Sequence, residues 1–123
     1  HVLHVRQSSD ATALEDPALV KALRFIRNNA CDPISVDDVA HAAGASRSVL
    51  QRRFRSVLRQ TVLESILTVR VNRAKDMLST SSLPLPDLAE RCGFRHQEYL
   101  GFVFKKRVGC TPGQYRNLHT QPR

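Results

Sequence analysis

Apolar positions recur at three- and four-residue intervals from residue 17 to residue 118, the spacing of helices that each bury one stripe. No stretch shows the period-two alternation of a half-buried strand. Asp16-Pro17 opens the first helix, a cap residue followed by proline at the first helical position. Leu19, Val20, Leu23, Ile26 and Ala30 form its stripe, and Asp32-Pro33 ends it after about 14 residues. Ser35 caps a short helix over 36–43, with Asp37 and Asp38 at its positive end. Gly44 turns the chain, and Ser46 caps a helix from Arg47 to Leu58. The longest stripe, Leu63, Ile66, Leu67, Val71, Ala74, Met77 and Leu78, predicts a helix over 62–79. Arg70 falls within it, which predicts a partly buried guanidinium paired with a carboxylate of a neighbouring helix. Ser79 to Ser82 breaks the pattern, and Pro84 and Pro86, tolerable only in a first turn, open a helix over 85–92. Gly93 turns the chain again, and helices follow over 97–107 and 112–118. Residues 1–15 carry no helical period and read as an extended linker, and 119–123 as a tail.

The pattern occurs twice. Ile34 to Ser46 reappears about fifty residues later as Leu83 to Arg95, with Val39, Ala40 and Gly44 matched by Leu88, Ala89 and Gly93. After one inserted residue, Leu50, Phe54 and Thr61 match Leu100, Phe104 and Thr111. Each copy is a short apolar helix, a glycine turn and a second helix rich in base, the sequence form of a helix-turn-helix. The predicted fold is therefore all-α, with about seven helices. Two homeodomain-like helix-turn-helix subdomains, 16–61 and 80–118, are joined by a long linker helix over 62–79.

Charge narrows the partner. The 123 residues hold 19 Lys and Arg against 11 Asp and Glu, a formal net charge of +8. A polyanion is expected, and the doubled motif selects double-stranded DNA over RNA or an acidic membrane. No apolar run is long enough to span a bilayer and no signal pattern is present, so a cytoplasmic, nucleoid-associated protein is expected. The chain opens on His1 rather than Met, the expectation being a fragment of a longer protein. Cys31, Cys92 and Cys110 are too few and too irregularly spaced for a disulfide framework or a zinc site. Cys92 sits on an apolar face and reads as a small buried hydrophobe. No glycine-rich phosphate loop, metal-ligand cluster or nucleophile–base pair is evident, so no catalytic residue, metal or cofactor is expected.

Helix phase divides the basic residues. With Leu50 taken as the direction of the core, Phe54, Val57 and Leu58 share its side. Ser48, Gln51, Arg52, Arg55 and Arg59 fall about 100° to 200° away. Arginines at 47, 52, 53, 55 and 59, with no acid among them, repel one another unless an anion neutralises them. Ser48, Gln51 and Arg52 are assigned to base edges, Gln51 suiting adenine and Arg52 guanine, with Arg47, Arg55 and Arg59 on phosphates. In the second copy, anchored on Leu100 and Phe104, the outward set is Glu98, Gly101, Phe102 and Lys105. Glu98 can accept from a cytosine amino group but repels phosphate. Phe102 fits two readings, contact with a thymine methyl or packing on another helix. Lys105 and Lys106, followed by Arg107, suit either phosphates or a solvated basic end.

These residues resemble the AraC/XylS family of bacterial transcription regulators over nearly all of 17–116. The resemblance is carried by Ser46 to Phe54, Arg70 to Leu78, Cys92 to Lys106 and Thr111 to Arg116. It implies seven helices in two helix-turn-helix subdomains on a rigid linker helix, with the two recognition helices entering successive major grooves. It implies base-reading positions at Ser48, Gln51, Arg52, Gln97, Glu98, Tyr99 and Phe102. The family often carries Arg where Phe102 stands and Ser at the cap where His96 stands, departures that point the second unit toward shape and phosphate contacts. Asp16 to Cys31, preceded by Arg6 to Asp10, is similar to the opening of the DNA-binding domain in xylose-operon regulators of this family. That likeness implies a sugar-binding effector domain upstream and absent from this chain, an operator or promoter as ligand, RNA polymerase as a further partner, and a monomeric fragment. A sequence-specific activator domain is thus the leading reading. An architectural or non-specific nucleic-acid binder is the alternative, separable by equal affinity for random DNA.

Overall fold

Side-chain caps decide where most of the helices begin. In the computed structural model, which describes residues 16–119, seven α-helices account for the fold and no strand occurs among the described residues. The linker expected over 1–15 and residues 120–123 of the expected tail lie outside the described residues. Helix α1 (Pro17–Asn29) starts where Asp16 Oδ1 accepts from the backbone N–H of Ala18 at 3.1 Å and Leu19 at 3.4 Å. Helix α2 (Val36–Ala43) opens on a capping box. The Ser35 hydroxyl accepts from Asp38 N–H at 3.2 Å, and Asp38 accepts from Ser35 N–H at 2.9 Å. Gly44, at φ 71, ends it in the left-handed conformation. Ser46 then caps α3 (Arg47–Arg53), accepting from Val49 N–H at 3.3 Å.

Helix α4 (Val62–Thr80) and helix α7 (Pro112–His119) carry the repeat into their caps. Thr61 with Glu64, and Thr111 with Gln114, form matching reciprocal boxes at 2.8 to 3.1 Å. Between them lie α5 (Leu85–Arg91), entered through Pro84, and α6 (Gln97–Val108). Helix α6 is the exception: His96 stands at its N-cap without a side-chain hydrogen bond to the helix. The last helix includes His119, one residue more than the sequence pattern predicts, which leaves His119 to the tail.

Backbone contacts divide the chain into two units, one running to Asn29 and resuming over Ile34–Ile66, the other comprising Ala30–Pro33 and the chain from Leu67 onward. The division falls inside α4 rather than at its ends, because each portion of that helix supplies core residues to its own unit. In the first unit α1 packs on α2 and α3, burying Leu19, Ala22 and Ile26 with Val39, Leu50 and Phe54. Ala22 replaces the expected Val20 and Leu23, which are half-buried. Val62, Ser65 and Ile66 of α4 close this core, whereas Leu63, expected inside, is 48% exposed. Val62 and Leu63 are adjacent apolar residues, and one turn of helix can face only one of them inward.

In the second unit Leu67, Val71, Ala74 and Leu78 pack with Leu88, Cys92, Phe94, Leu100 and Phe104. Tyr115 meets Phe104 edge-on at 5.3 Å between ring centroids and stacks on His119 at 4.1 Å. Cys92 is buried as expected, its Sγ 3.6 Å from Met77 Sδ. Burial pushes its thiol up to about 12, so it stays protonated and unreactive at neutral pH.

Arg70 is buried, as its place in the stripe required, but its partners correct the expectation of a carboxylate. Its Nε donates to the Ala30 carbonyl and its Nη2 to the Asp32 carbonyl at 3.1 Å. Burial pulls the guanidinium below its ordinary range, which begins high enough that it remains cationic at neutral pH. The carbonyls just beyond α1 have no intrahelical partner, and one planar guanidinium satisfies two of them.

Candidate nucleic-acid interface

The second helix of the first motif, the candidate recognition element, is shorter as an α-helix than its pattern predicts. Helix α3 stops at Arg53, and residues Phe54–Leu58 continue as a π-helical turn ending on Arg59, a non-glycine residue at φ 60. Ser56 Oγ donates to the Arg53 carbonyl at 3.4 Å, a side-chain bond that competes with the backbone ladder and favours widening. The wider turn changes the phase after Phe54, so Val57 and Leu58 are half-buried instead of joining Leu50 in the core.

The phase of the N-terminal part is the one expected. Ser48, Gln51 and Arg52 are exposed on the face opposite buried Leu50. Arg47, Arg53, Arg55 and Arg59 are exposed as well. Two of these cations already have an acid. Arg47 Nη1 lies 3.4 Å from Asp37 Oδ1 with both groups largely in water, and Arg53 Nη1 lies 3.1 Å from the helix-capping carboxylate of Asp16. The Asp37 pair, being exposed, is weak enough to exchange for a phosphate. Arg55 and Arg59 instead line a common open depression of about 620 Å³, with Ser56, Gln60, Thr61 and Glu64 on its walls. That depression depends on the π turn and on the left-handed Arg59, neither of which has a signature in the hydrophobic spacing.

In the second unit α6 exposes Gln97, Glu98, Tyr99 and Phe102, together with Lys105 and Lys106. Leu100, Val103 and Phe104 hold the opposite face in the core. Tyr99, 40% exposed, is braced edge-on by buried Phe94 at 5.6 Å between ring centroids. Of the two readings open for Phe102, packing on another helix does not hold among the described residues, where Phe102 is 64% exposed. Its ring instead carries Lys106 Nζ at 5.8 Å from the centroid, a pairing that i,i+4 spacing permits but hydrophobic periodicity does not reveal. Arg107 turns away from the open face, its Nη1 donating to Thr68 Oγ1 at 2.9 Å.

No group of three or more His, Cys, Asp or Glu able to hold a metal occurs among the described residues, and no described helix is long and apolar enough to cross a membrane. Two exposed, positively charged helices in successive copies of one motif can bind an anionic groove by backbone contacts and read base edges with Ser, Gln and Arg.

A helix-turn-helix domain family model matches residues 39–118. The xylose operon regulatory protein of Escherichia coli strain K12 is 35% identical over 116 residues, covering 94% of this chain and 30% of its own length. The chain thus spans about a third of the length of the curated relatives it matches first. A crystal structure of an AraC-type DNA-binding-domain regulator from Chromobacterium violaceum superposes with a TM-score of 0.81 at 29% identity, covering 90% of this chain and 99% of that one. The DNA-binding domain of AdpA, solved in complex with a target DNA, gives a TM-score of 0.78 at 31% identity over 85% of this chain and 93% of that one.

Proposed function

The chain belongs to the AraC-type family of helix-turn-helix transcription regulators, and from that premise we propose that it binds double-stranded operator DNA sequence-specifically. One observation carries the reading: Ser48, Gln51 and Arg52 stand exposed on a helix that holds arginines and no acid. Gln51 and Arg52 read adenine and guanine through bidentate contacts, each worth about 1–3 kcal/mol of discrimination. Arg47, Arg55, Arg59, Lys105 and Lys106 hold phosphates. Gln97, Glu98, Tyr99 and Phe102 face the groove from α6. The subdomains 16–61 and 80–118 with the helix 62–79 act as one reader of a site about two turns long.

The likeness to a xylose operon regulator supports a wider proposal: the chain is the DNA-binding part of a sugar-responsive activator. Its effector domain lies in a separate segment, RNA polymerase is its downstream partner, the domain itself is monomeric, and the protein works in the cytoplasm at the nucleoid. Selection of bound sites from randomised DNA, followed by titration of binding against salt, tests the core of this. An enriched motif and a log–log slope of about −0.9 per neutralised phosphate are expected. Arg52→Ala removes the preference for one base, whereas Arg55→Ala weakens all sequences alike and lowers the slope by about one. Equal affinity for random DNA would select the architectural alternative instead.

A further inference from the structure

Phe102 stands at the middle of the open face of α6, and its exposure is out of keeping with the other phenylalanines of its unit. Phe94 and Phe104 are fully buried, while Phe102 leaves 64% of its surface in water. Glu98 and Tyr99 precede it by four and three residues, and Lys105 and Lys106 follow by three and four, so all flank the ring on one face. Lys106 approaches one face of the ring at 5.8 Å, and Gly101 beside it presents no side chain. The result is an open apolar depression of about 450 Å³ lined by Gly101, Phe102, Lys105 and Lys106.

Resting on the proposed DNA-binding reading, we infer that Phe102 is a specificity residue that reads the 5-methyl group of thymine in the major groove. A phenyl ring has no donor or acceptor, so it cannot use the hydrogen-bonding edges of guanine, adenine or cytosine. Thymine's methyl is the one apolar group the four ordinary bases show in that groove. The charges around the ring fit this orientation. Glu98 repels phosphate and so keeps the centre of the face off the backbone, while Lys105 and Lys106 attract phosphates on one side of it. The depression beside Gly101 leaves room for a methyl to come against the ring.

The test replaces each thymine of the selected site singly by deoxyuridine, which removes the methyl and keeps every hydrogen bond. The intact 123-residue chain loses about fourfold in affinity at one or two positions, the worth of one methyl taken from water, and nothing at the others. Phe102→Ala binds dT and dU equally at those positions. Phe102→Arg moves the preference there from thymine to guanine. The inference is overturned if the wild type tolerates deoxyuridine everywhere, or if Phe102→Ala keeps the same dT-to-dU ratio. The wild-type scan needs no variant, so a folding defect cannot obscure it. An enriched site that is indifferent to deoxyuridine removes this inference and leaves the DNA-binding reading in place, whereas no enriched site removes both.

Discussion

Gly44 and Gly93 occupy the same position of the repeat, and replacing each by alanine has very different consequences. Both are left-handed, at φ 71 and φ 95, so both alanine variants incur about 1–2 kcal/mol of backbone strain. Alanine recovers about 0.4–1 kcal/mol of that by restricting the unfolded chain. At Gly44 nothing else opposes the change, since an added Cβ meets no atom within 4 Å. A net loss of about 1 kcal/mol follows. At Gly93 the Cβ would come 2.7 Å from Arg70 Nε, 2.8 Å from the Ala30 carbonyl oxygen and 2.9 Å from Cys31 Cα. Two of those three atoms are backbone and cannot swing aside. The third belongs to the guanidinium that donates to Ala30, so relief through Arg70 weakens a charged hydrogen bond worth about 1.5–3 kcal/mol. Gly93→Ala therefore loses about 3–5 kcal/mol, in the range reserved for specific structural damage. Urea unfolding followed by far-ultraviolet circular dichroism measures both, with the midpoint shifting and the slope unchanged. Losses equal within about 1 kcal/mol would refute the packing argument and leave φ alone as the cause.

Further outcomes follow from local chemistry. Ser46→Ala removes a cap and lowers stability by about 1 kcal/mol, whereas His96→Ser supplies the missing cap of α6 and raises it by about 0.5–1 kcal/mol, both read from thermal melts. Arg70→Met keeps the volume but strips the donor from the Ala30 and Asp32 carbonyls, costing about 2–4 kcal/mol of stability, read as a lower urea midpoint; an unchanged midpoint would show those bonds to be dispensable. For Cys92 the sign is set by a folded value raised to about 12 against an unfolded value of about 8.5. Its contribution is intact below about pH 8.5 and declines by about 1.4 kcal/mol per pH unit as pH rises toward the folded value. The destabilisation caused by Cys92→Ala should accordingly shrink between about pH 9 and 11, and thiol reagents at neutral pH should reach wild-type Cys92 only through opening of its unit.

Much of this molecule is written locally. The 3.6-residue period, the Asp, Ser and Thr caps and the two turn glycines act within a few residues of themselves, so the helices and their order can be read directly from the chain. The exposed faces of α3 and α6 are legible for the same reason: once Leu50 or Leu100 is taken as buried, a short helix leaves little freedom for Gln51, Arg52 or Phe102. Packing made the remaining choices. It selected Val62 over Leu63 for the core, since both are apolar and adjacent and only the neighbouring helices distinguish them. It gave Arg70 the carbonyls of Ala30 and Asp32, some forty positions earlier, in place of a carboxylate, because the end of α1 leaves acceptors that no spacing pattern reveals. The turn after Phe54 widens into a π-helical one and brings Arg55 and Arg59 around one depression, which the hydrophobic spacing does not reveal. And packing made two glycines that the repeat treats as equivalents unequal, by setting open space beside one and the backbone of a distant segment beside the other. Helix periodicity and capping are properties of neighbours in sequence, so the chain alone determines them; which atoms fill the space around a residue depends on segments far along the chain, and only the folded structure decides it.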